Sequence, residues 1–283
     1  MGYIDLHTHT TASDGTDTPS MLVQHAIAAN LDAVAITDHD TVAGVEEGCL
    51  FAKEKEITVI PGIELSCQYH SKEIHMLGYF VDIYNEEFLQ KLDQLKQSRE
   101  HRNEQMRQKL AELGLPLTME QLRGSNEKTV ITRAHFARAL LEAGYVKTKD
   151  EAFQKYIGDG CPAFVMKPKF LATEAISLIK KAGGVAVLAH PLLYKLSYHD
   201  LEQLISELKN NGLVGVEVYH SSHNIANSNR LREIIQSYHL LPTGGSDYHG
   251  ENKQNIRLGV GYGGMKVSHA LLDDLKKALH VKL

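Results

Sequence analysis

Eight side chains able to bind a divalent metal stand in, or just after, short apolar runs. His7 and His9 follow Tyr3–Leu6 in the stretch DLHTH. Side chains two apart on a strand share a face, so both imidazoles can reach one ion. His39 sits in TDHD after the run AVAIT, and Glu64 in PGIE at the end of Thr58–Ile63. His75 lies inside Ile74–Phe80, His190 in AHP after Val185–Ala189, and Asp247 and His249 in SDYH after the last run. Asp14, in SDGT, is a ninth candidate, although that tetrapeptide also suits a turn. A four-coordinate ion takes about four ligands, and a catalytic one keeps a position open. Nine donors on one rim therefore predict two or three divalent ions. Mixed imidazole and carboxylate ligands suit Zn, Mn or Fe better than Mg or Ca. The chemistry such ions supply is hydrolysis, through a water made acidic and an oxygen stripped of charge.

The elements that must position these groups alternate. Strand-type runs are predicted at Tyr3–Leu6, Ala33–Thr37, Thr58–Ile63, Ile74–Phe80, Val185–Ala189, Val214–Tyr219 and Leu240–Thr243. Helical patterns are predicted from Thr18-Pro19 to Asn30, and over Val42–Glu56, Thr173–Ala182, His199–Asn210, Asn224–Tyr238 and Ser268–His280. Thr18 is a cap, with proline at the first helical position. Strand–helix alternation implies βα units and a mostly parallel sheet. About seven such strands favour an α/β barrel, whose C-terminal face holds the active site.

The alternation breaks in the middle of the chain. Glu86–Leu113 reads as one long polar helix, followed by short helices at Met119–Arg123, Arg133–Ala143 and Lys149–Tyr156 and a short strand near Phe164. The expected organisation is a barrel from residues 1–84 and 170–283, with a helical insertion of residues 85–169 covering the active site. From Ser98 to Arg138 the insertion carries eight Lys or Arg against five Asp or Glu. Gly261–Gly264 (GYGG) reads as a surface loop.

Composition sets outer bounds. The 283 residues are 43% hydrophobic and 23% charged, with a net charge of −5. That argues against gripping long duplex nucleic acid through bulk positive charge. No apolar run approaches the roughly 18 residues that span a membrane. The opening MGYIDLHTHT lacks the basic and apolar regions of a signal peptide, so a cytoplasmic location is expected. Cys49, Cys67 and Cys161 are odd in number and widely spaced, which points to buried thiols rather than disulfides or a thiolate zinc site.

Beyond the metal ligands, Arg133 is the expected phosphate clamp, since guanidinium matches phosphate bidentately. His135 is the second substrate-binding candidate. At a helix N-terminus both can reach an anion, helped by backbone N–H groups. His220 and His223 follow VEVY. One of them is the expected proton donor to the leaving oxygen, and His223 is also a candidate for substrate contact. Asp38 and Asp40 flank His39 and can orient it. Asp40 is counted with His220 and His223 as a candidate catalytic residue.

In this order, DLHTHT (Asp5–Thr10), SDGT (Ser13–Thr16), TDHD (Thr37–Asp40), PGIE (Pro61–Glu64), LAHP (Leu188–Pro191) and GSDYH (Gly245–His249) resemble the polymerase and histidinol phosphatase (PHP) superfamily of metal-dependent phosphoesterases. The resemblance implies a distorted seven-stranded β/α barrel with a metal cluster at the strand C-termini. It implies one ion held by His7, His9, Glu64 and Asp247. A second would be bridged by Glu64 and held by His75 and His190, and a third held by Asp14, His39 and His249. Mn, Fe and Zn all remain open. The insertion carrying Thr132-Arg133-Ala134-His135 looks like the branch of phosphatases acting on 3′,5′-nucleoside bisphosphates and of enzymes trimming short RNA 5′→3′. The implied reaction is attack of a metal-bridging hydroxide on phosphorus. Expected partners are a small phosphorylated substrate, nucleotide or short RNA, with no long duplex and no membrane, on a monomer or small homo-oligomer. The alternatives are a histidinol-phosphate-type phosphatase, an amidohydrolase, or a PHP module without catalysis.

Overall fold

The computed structural model describes residues 2–70, 72–123, 129–166 and 170–280. Among these residues one mixed sheet runs in the order β7-β6-β5-β4-β3-β2-β1-β8. Its strands are β1 (Tyr3–Asp5), β2 (Leu31–Ile36), β3 (Thr58–Tyr69), β4 (Lys72–Tyr79), β5 (Val185–Leu188), β6 (Gly215–His220), β7 (Leu241–Gly245) and β8 (Val267–Ser268). β1, β2 and β3 pair in parallel, as do β5, β6 and β7. β4 runs antiparallel to both of its neighbours, and β8 runs antiparallel along β1. The sheet nearly closes into a barrel where the C-terminal ends of β1 and β7 meet. There the Leu6 N–H donates to the Gly244 carbonyl at 3.2 Å, and the Asp247 N–H to the His7 carbonyl at 2.9 Å.

Two features depart from the sequence reading. β3 and β4 form one long hairpin, paired from Gly62↔Tyr79 to Tyr69↔Lys72, where the predicted strands are shorter. The eighth strand, at Val267–Ser268, is absent from the seven predicted. Two residues are too few to show a period, and a period of two carries no strand direction.

Alternation along the strands sorts side chains into two layers. Ala33, Ala35, Val185 and Val187 join Ile4, Leu6, Ile60 and Tyr79 in an inner cluster, plugged by Leu272 and Leu275 of a C-terminal helix, Ala270–His280. Val34, Ile36, Ala186 and Leu188 face outward into a second cluster, under the helices Pro19–Ala28, Ala172–Lys181, Tyr198–Asn210 and Ile225–Ser237. The first of these is capped as expected, Thr18 accepting from the Met21 N–H with Pro19 next in line. No helix among the described residues is long and apolar enough to cross a membrane.

Between β4 and β5 the chain forms the helices Glu86–Glu112, Met119–Arg123, Arg133–Glu142 and Lys149–Ala152, the last running into a π-helical turn at Phe153–Ile157. Met106, Leu110, Leu122, Phe136 and Leu140 give these helices an apolar cluster of their own. Phe164 lies in a loop rather than a strand. Residue 169, the expected end of the insertion, falls outside the described residues. Contacts to the barrel converge on the rim: Arg99 pairs with Asp40, the Val130 N–H donates to the Ala12 carbonyl at 3.1 Å, and Thr132 Oγ1 donates to Asp14 Oδ2 at 2.9 Å.

Candidate active site

The strand ends deliver His7 and His9 after β1, His39 after β2, His190 after β5, and Asp247 and His249 after β7. Glu64 lies within β3, on the stretch that runs past the end of its parallel neighbour β2. His75 stands near the start of β4, and the antiparallel direction of that strand brings its beginning to the same rim. Asp14 arrives on the loop after β1. All nine predicted donors therefore come together.

Glu64 is the centre. Its Oε1 lies 2.8 Å from both His75 Nδ1 and His190 Nε2. Its Oε2 lies 3.3 Å from His7 Nε2, 3.2 Å from His9 Nε2 and 3.1 Å from His39 Nδ1. Asp247 Oδ1 approaches His9 Nε2 and His249 Nδ1, both at 3.4 Å, and Asp14 Oδ1 lies 3.3 Å from His249 Nε2. Burial opposes ionisation of Glu64, but His39, His75 and His7 outweigh it and hold the carboxyl well below its usual range. At Asp247 burial is likewise outweighed, there by Lys253, His249 and His7. Burial pushes His190 down to about 4, which keeps it a neutral imidazole with a free lone pair.

Groups that hold these donors are less visible in sequence. Glu217, fully buried in β6, takes His7 Nδ1 at 3.0 Å and accepts from the His190 N–H at 2.7 Å. Asp5 accepts from the backbone N–H groups of His7, Ser246 and Gly259, tying β1 to β7. Asp38 accepts from the Thr10 N–H and from the Thr10 and Ser13 hydroxyls, which fixes the loop carrying Asp14. Gly245 sits where a Cβ would lie 2.3 Å from the His7 nitrogen, so β7 approaches β1 closely only with glycine there. Asp40, His190 and Asp247 adopt positive φ of 53°, 21° and 57°, a region that L-residues seldom occupy.

The donor set fits divalent ions. His7 Nε2, His9 Nε2, His39 Nδ1 and His190 Nδ1 are buried nitrogens without a hydrogen-bond partner. Ligand atoms of His9, Asp14, His39 and His249 lie within 4.8 Å of one another, as do those of His7, Glu64 and His190, of His7, His9 and Asp247, and of His39, Glu64 and His75. Buried imidazoles and carboxylates packed this closely match the ligands that hold such ions in proteins.

The remaining candidates are spread around this cluster. Arg133 pairs with Glu73 at 2.8 Å and with Asp159 at 2.9 Å, and it lines the cleft beside His39 and His75. His135 is buried at the start of its helix, where Nδ1 accepts from the Thr132 N–H at 3.0 Å. Burial pushes it down to about 4. Asp40 turns away from the imidazoles. It accepts from the Ser66 N–H at 2.7 Å and pairs with Arg99. His220 Nε2 lies 3.5 Å from Asp247 Oδ2. His223 lies beside His220 with 5.3 Å between ring centroids and the rings tilted by 53°, its Nδ1 donating to the Val218 carbonyl. Sequence reasoning missed Arg99, Arg102 and Lys253. The first two are charged residues on one face of an otherwise polar helix, so nothing marked them. Lys253 lies six residues beyond Asp247, to which it donates.

A barrel with hydrolytic metal ligands on its C-terminal rim defines a class of metal-dependent hydrolases. Comparison with known proteins narrows it: a profile of the PHP domain matches residues 5–258, and the chain belongs to that family. A 5′-3′ exoribonuclease of Haemophilus influenzae is 35% identical over 245 residues, 87% of this chain and 89% of the relative. A 3′,5′-nucleoside bisphosphate phosphatase of Chromobacterium violaceum is 30% identical, covering 90% of this chain and 91% of the relative. The crystal structure of a candidate metal-dependent phosphoesterase from Bifidobacterium adolescentis superposes with a TM-score of 0.84 at 32% identity, covering 96% of this chain and 94% of the other. The chain is a hydrolase of phosphate esters.

Proposed function

We propose that the substrates are nucleotides, namely 3′,5′-nucleoside bisphosphates or short 5′-phosphorylated RNA, and that two or three ions of Mn, Fe or Zn serve the reaction. The observation that carries this reading is a cleft of about 160 Å3 with Asp14, His39 and His75 on one side and Arg99, Arg102 and Arg133 on the other. Arg102 is 2% exposed, and its Nε and Nη2 have no hydrogen-bond partner. A buried guanidinium with two nitrogens left without acceptors is costly. A phosphate accepting two parallel N–H bonds removes that cost. Two relatives named for nucleotide phosphate chemistry support the same substrate class.

His7, His9, Glu64 and Asp247 would hold one ion, Glu64, His75 and His190 a second, and Asp14, His39 and His249 a third. When bound, such ions supply Lewis acidity toward phosphoryl oxygens and a water that loses its proton near neutral pH. The protein's own part is orientation. Glu217 fixes the His7 ring so that Nε2 faces the rim, and Thr132 steadies the Asp14 carboxylate. Arg102 and Arg133 align a substrate phosphate, with His135 behind them. His223 Nε2 is buried and without a partner, and with His220 it supplies the candidate proton donor for the leaving oxygen. Asp40 acts through Arg99, which it holds at the cleft. With such substrates the cytoplasm is the expected compartment.

The test is an assay of protein purified without chelator, with its metal content measured. Its substrates are adenosine 3′,5′-bisphosphate, a short 5′-phosphorylated RNA and histidinol phosphate. Phosphate from the bisphosphate, or mononucleotides from the RNA, is the expected result. Turnover of histidinol phosphate alone, or metal-loaded protein that cleaves no ester, would overturn it.

A further inference from the structure

Among the described residues, two of the openings that reach the metal rim share no lining residue. The arginine cleft reaches Asp14, His39 and His75, and continues into a space of about 230 Å3 backed by Phe164 and Phe170. The other opening reaches Asp247 and His220 from the opposite side. It is a groove of about 820 Å3 between the Lys147–Asp150 segment and the residues after His249. A phosphomonoester has one carbon-bearing oxygen and needs one opening. A phosphodiester carries chain on both sides of phosphorus and needs two.

We infer that the groove is the track for a single RNA strand on the far side of the scissile phosphate, while the arginine cleft takes the terminal nucleotide. This rests on the nucleotide reading above and specifies its substrate as a chain. Tyr262 is 64% exposed and Leu193 48% exposed on the groove wall. An exposed ring such as Tyr262 stacks on bases without regard to sequence, and Leu193 adds apolar surface beside it. Lys147 and Lys149 line the groove from the insertion side, facing the segment that carries Tyr262, and neither ammonium lies within 4 Å of a carboxylate among the described residues. Lys149 donates to Asn252 Oδ1 at 3.1 Å, which bridges the groove from the insertion to the barrel. Ser222 and Gln254 add hydrogen-bonding groups suited to sugar and phosphate oxygens. Asp150 and Glu251 also face the groove, so its net charge is close to neutral and few phosphates can be held by charge alone. The strand is therefore held by stacking and few charges, which fits a protein of net charge −5.

One bond serves both substrates. Water adds to phosphorus, the bond to O3′ of the terminal nucleotide breaks, and O3′ takes a proton. From a bisphosphate the product is inorganic phosphate. From RNA the phosphate stays on the shortened strand in the groove, where it becomes the new 5′ end.

The experiment compares adenosine 3′,5′-bisphosphate with 5′-phosphorylated RNAs of two, four and eight nucleotides, using the full chain and its Lys149→Ala, Lys147→Glu and Tyr262→Ala variants. Binding of a 3′-fluorescein octamer to chelator-treated protein is read in parallel by anisotropy. For the wild type, kcat/KM should rise from the dimer to longer RNA. Each variant should lose about 10-fold on the octamer, in turnover and in binding, from a lost stacking or phosphate contact. Turnover of the bisphosphate should change less than about 2-fold, since one lost groove contact leaves the cleft intact. Length-independent turnover, with variants that handle the octamer as the wild type does, overturns the groove while leaving the nucleotide reading in place. If neither substrate is cleaved, the nucleotide reading fails, and octamer binding that no variant weakens would overturn the groove as well.

Discussion

Glu217 touches no substrate and stands among no predicted ligands, yet it holds His7 by one oxygen and the His190 backbone by the other. An acceptor on Nδ1 fixes the tautomer whose Nε2 is free to bind metal. Glu217→Gln keeps the volume and removes the charge. Metal affinity should fall about 10- to 100-fold with the fold intact, read by competition with a chelating indicator alongside circular dichroism; unchanged affinity would remove Glu217 from the site. His135 offers a second test. Its pKa falls from 6.5 to about 4 in the folded protein because burial disfavours the charged ring. The unfolded chain therefore binds the extra proton first, so this contribution is complete above pH 6.5 and is lost as pH falls toward 4. His135→Gln retains an acceptor for the Thr132 N–H but does not titrate. The stability gap between wild type and variant should shift by up to about 3 kcal/mol between pH 7 and pH 4, measured by urea unfolding; a gap independent of pH would show that His135 does not titrate on unfolding.

At the scale of elements, the long helix Glu86–Glu112 is joined to the barrel by the pair of Arg99 with Asp40, both 5% exposed. Removing one partner of a buried pair strands the other, at about 3–5 kcal/mol. Arg99→Ala should lose stability on that scale in urea, and Arg99→Met combined with Asp40→Asn should recover more than half of it. Additive losses in the double variant would argue against a direct pair. Most of the donors are legible in sequence because they close apolar runs, and so many such coincidences in motif order are hard to produce otherwise. Glu217 is not legible, since one acidic residue inside VEVY reads the same whether it faces solvent or the barrel interior. Nor is the direction of β4: His75 looks like a residue inside a βα strand, and only the pairing Ser66↔His75 shows how it reaches the rim. The helices of the barrel wall, with proline and cap signals and regular apolar spacing, are read to within a few residues.

For the whole molecule, Asp14, Glu64 and Asp247 are carboxylates that the fold buries at one end of the barrel among six imidazoles. Ions that bind only the folded chain stabilise it by mass action. Stripping with chelator should lower the melting temperature by about 5 °C or more, for ions present at about 100 times Kd, and Mn, Fe or Zn should restore it. A melting curve indifferent to chelator and to added metal would mean that the cluster binds no ion. The same end of the barrel holds Asp40, His190 and Asp247 at positive φ, where a side chain costs about 1–3 kcal/mol per residue. Glycine relieves the backbone cost at each position, but at 40 it strands Arg99, and at 190 and 247 it removes a candidate metal ligand. A library selected for heat resistance in chelator-stripped protein would accordingly collect its gains at His190 and Asp247 rather than at Asp40, and its most robust members would be inert.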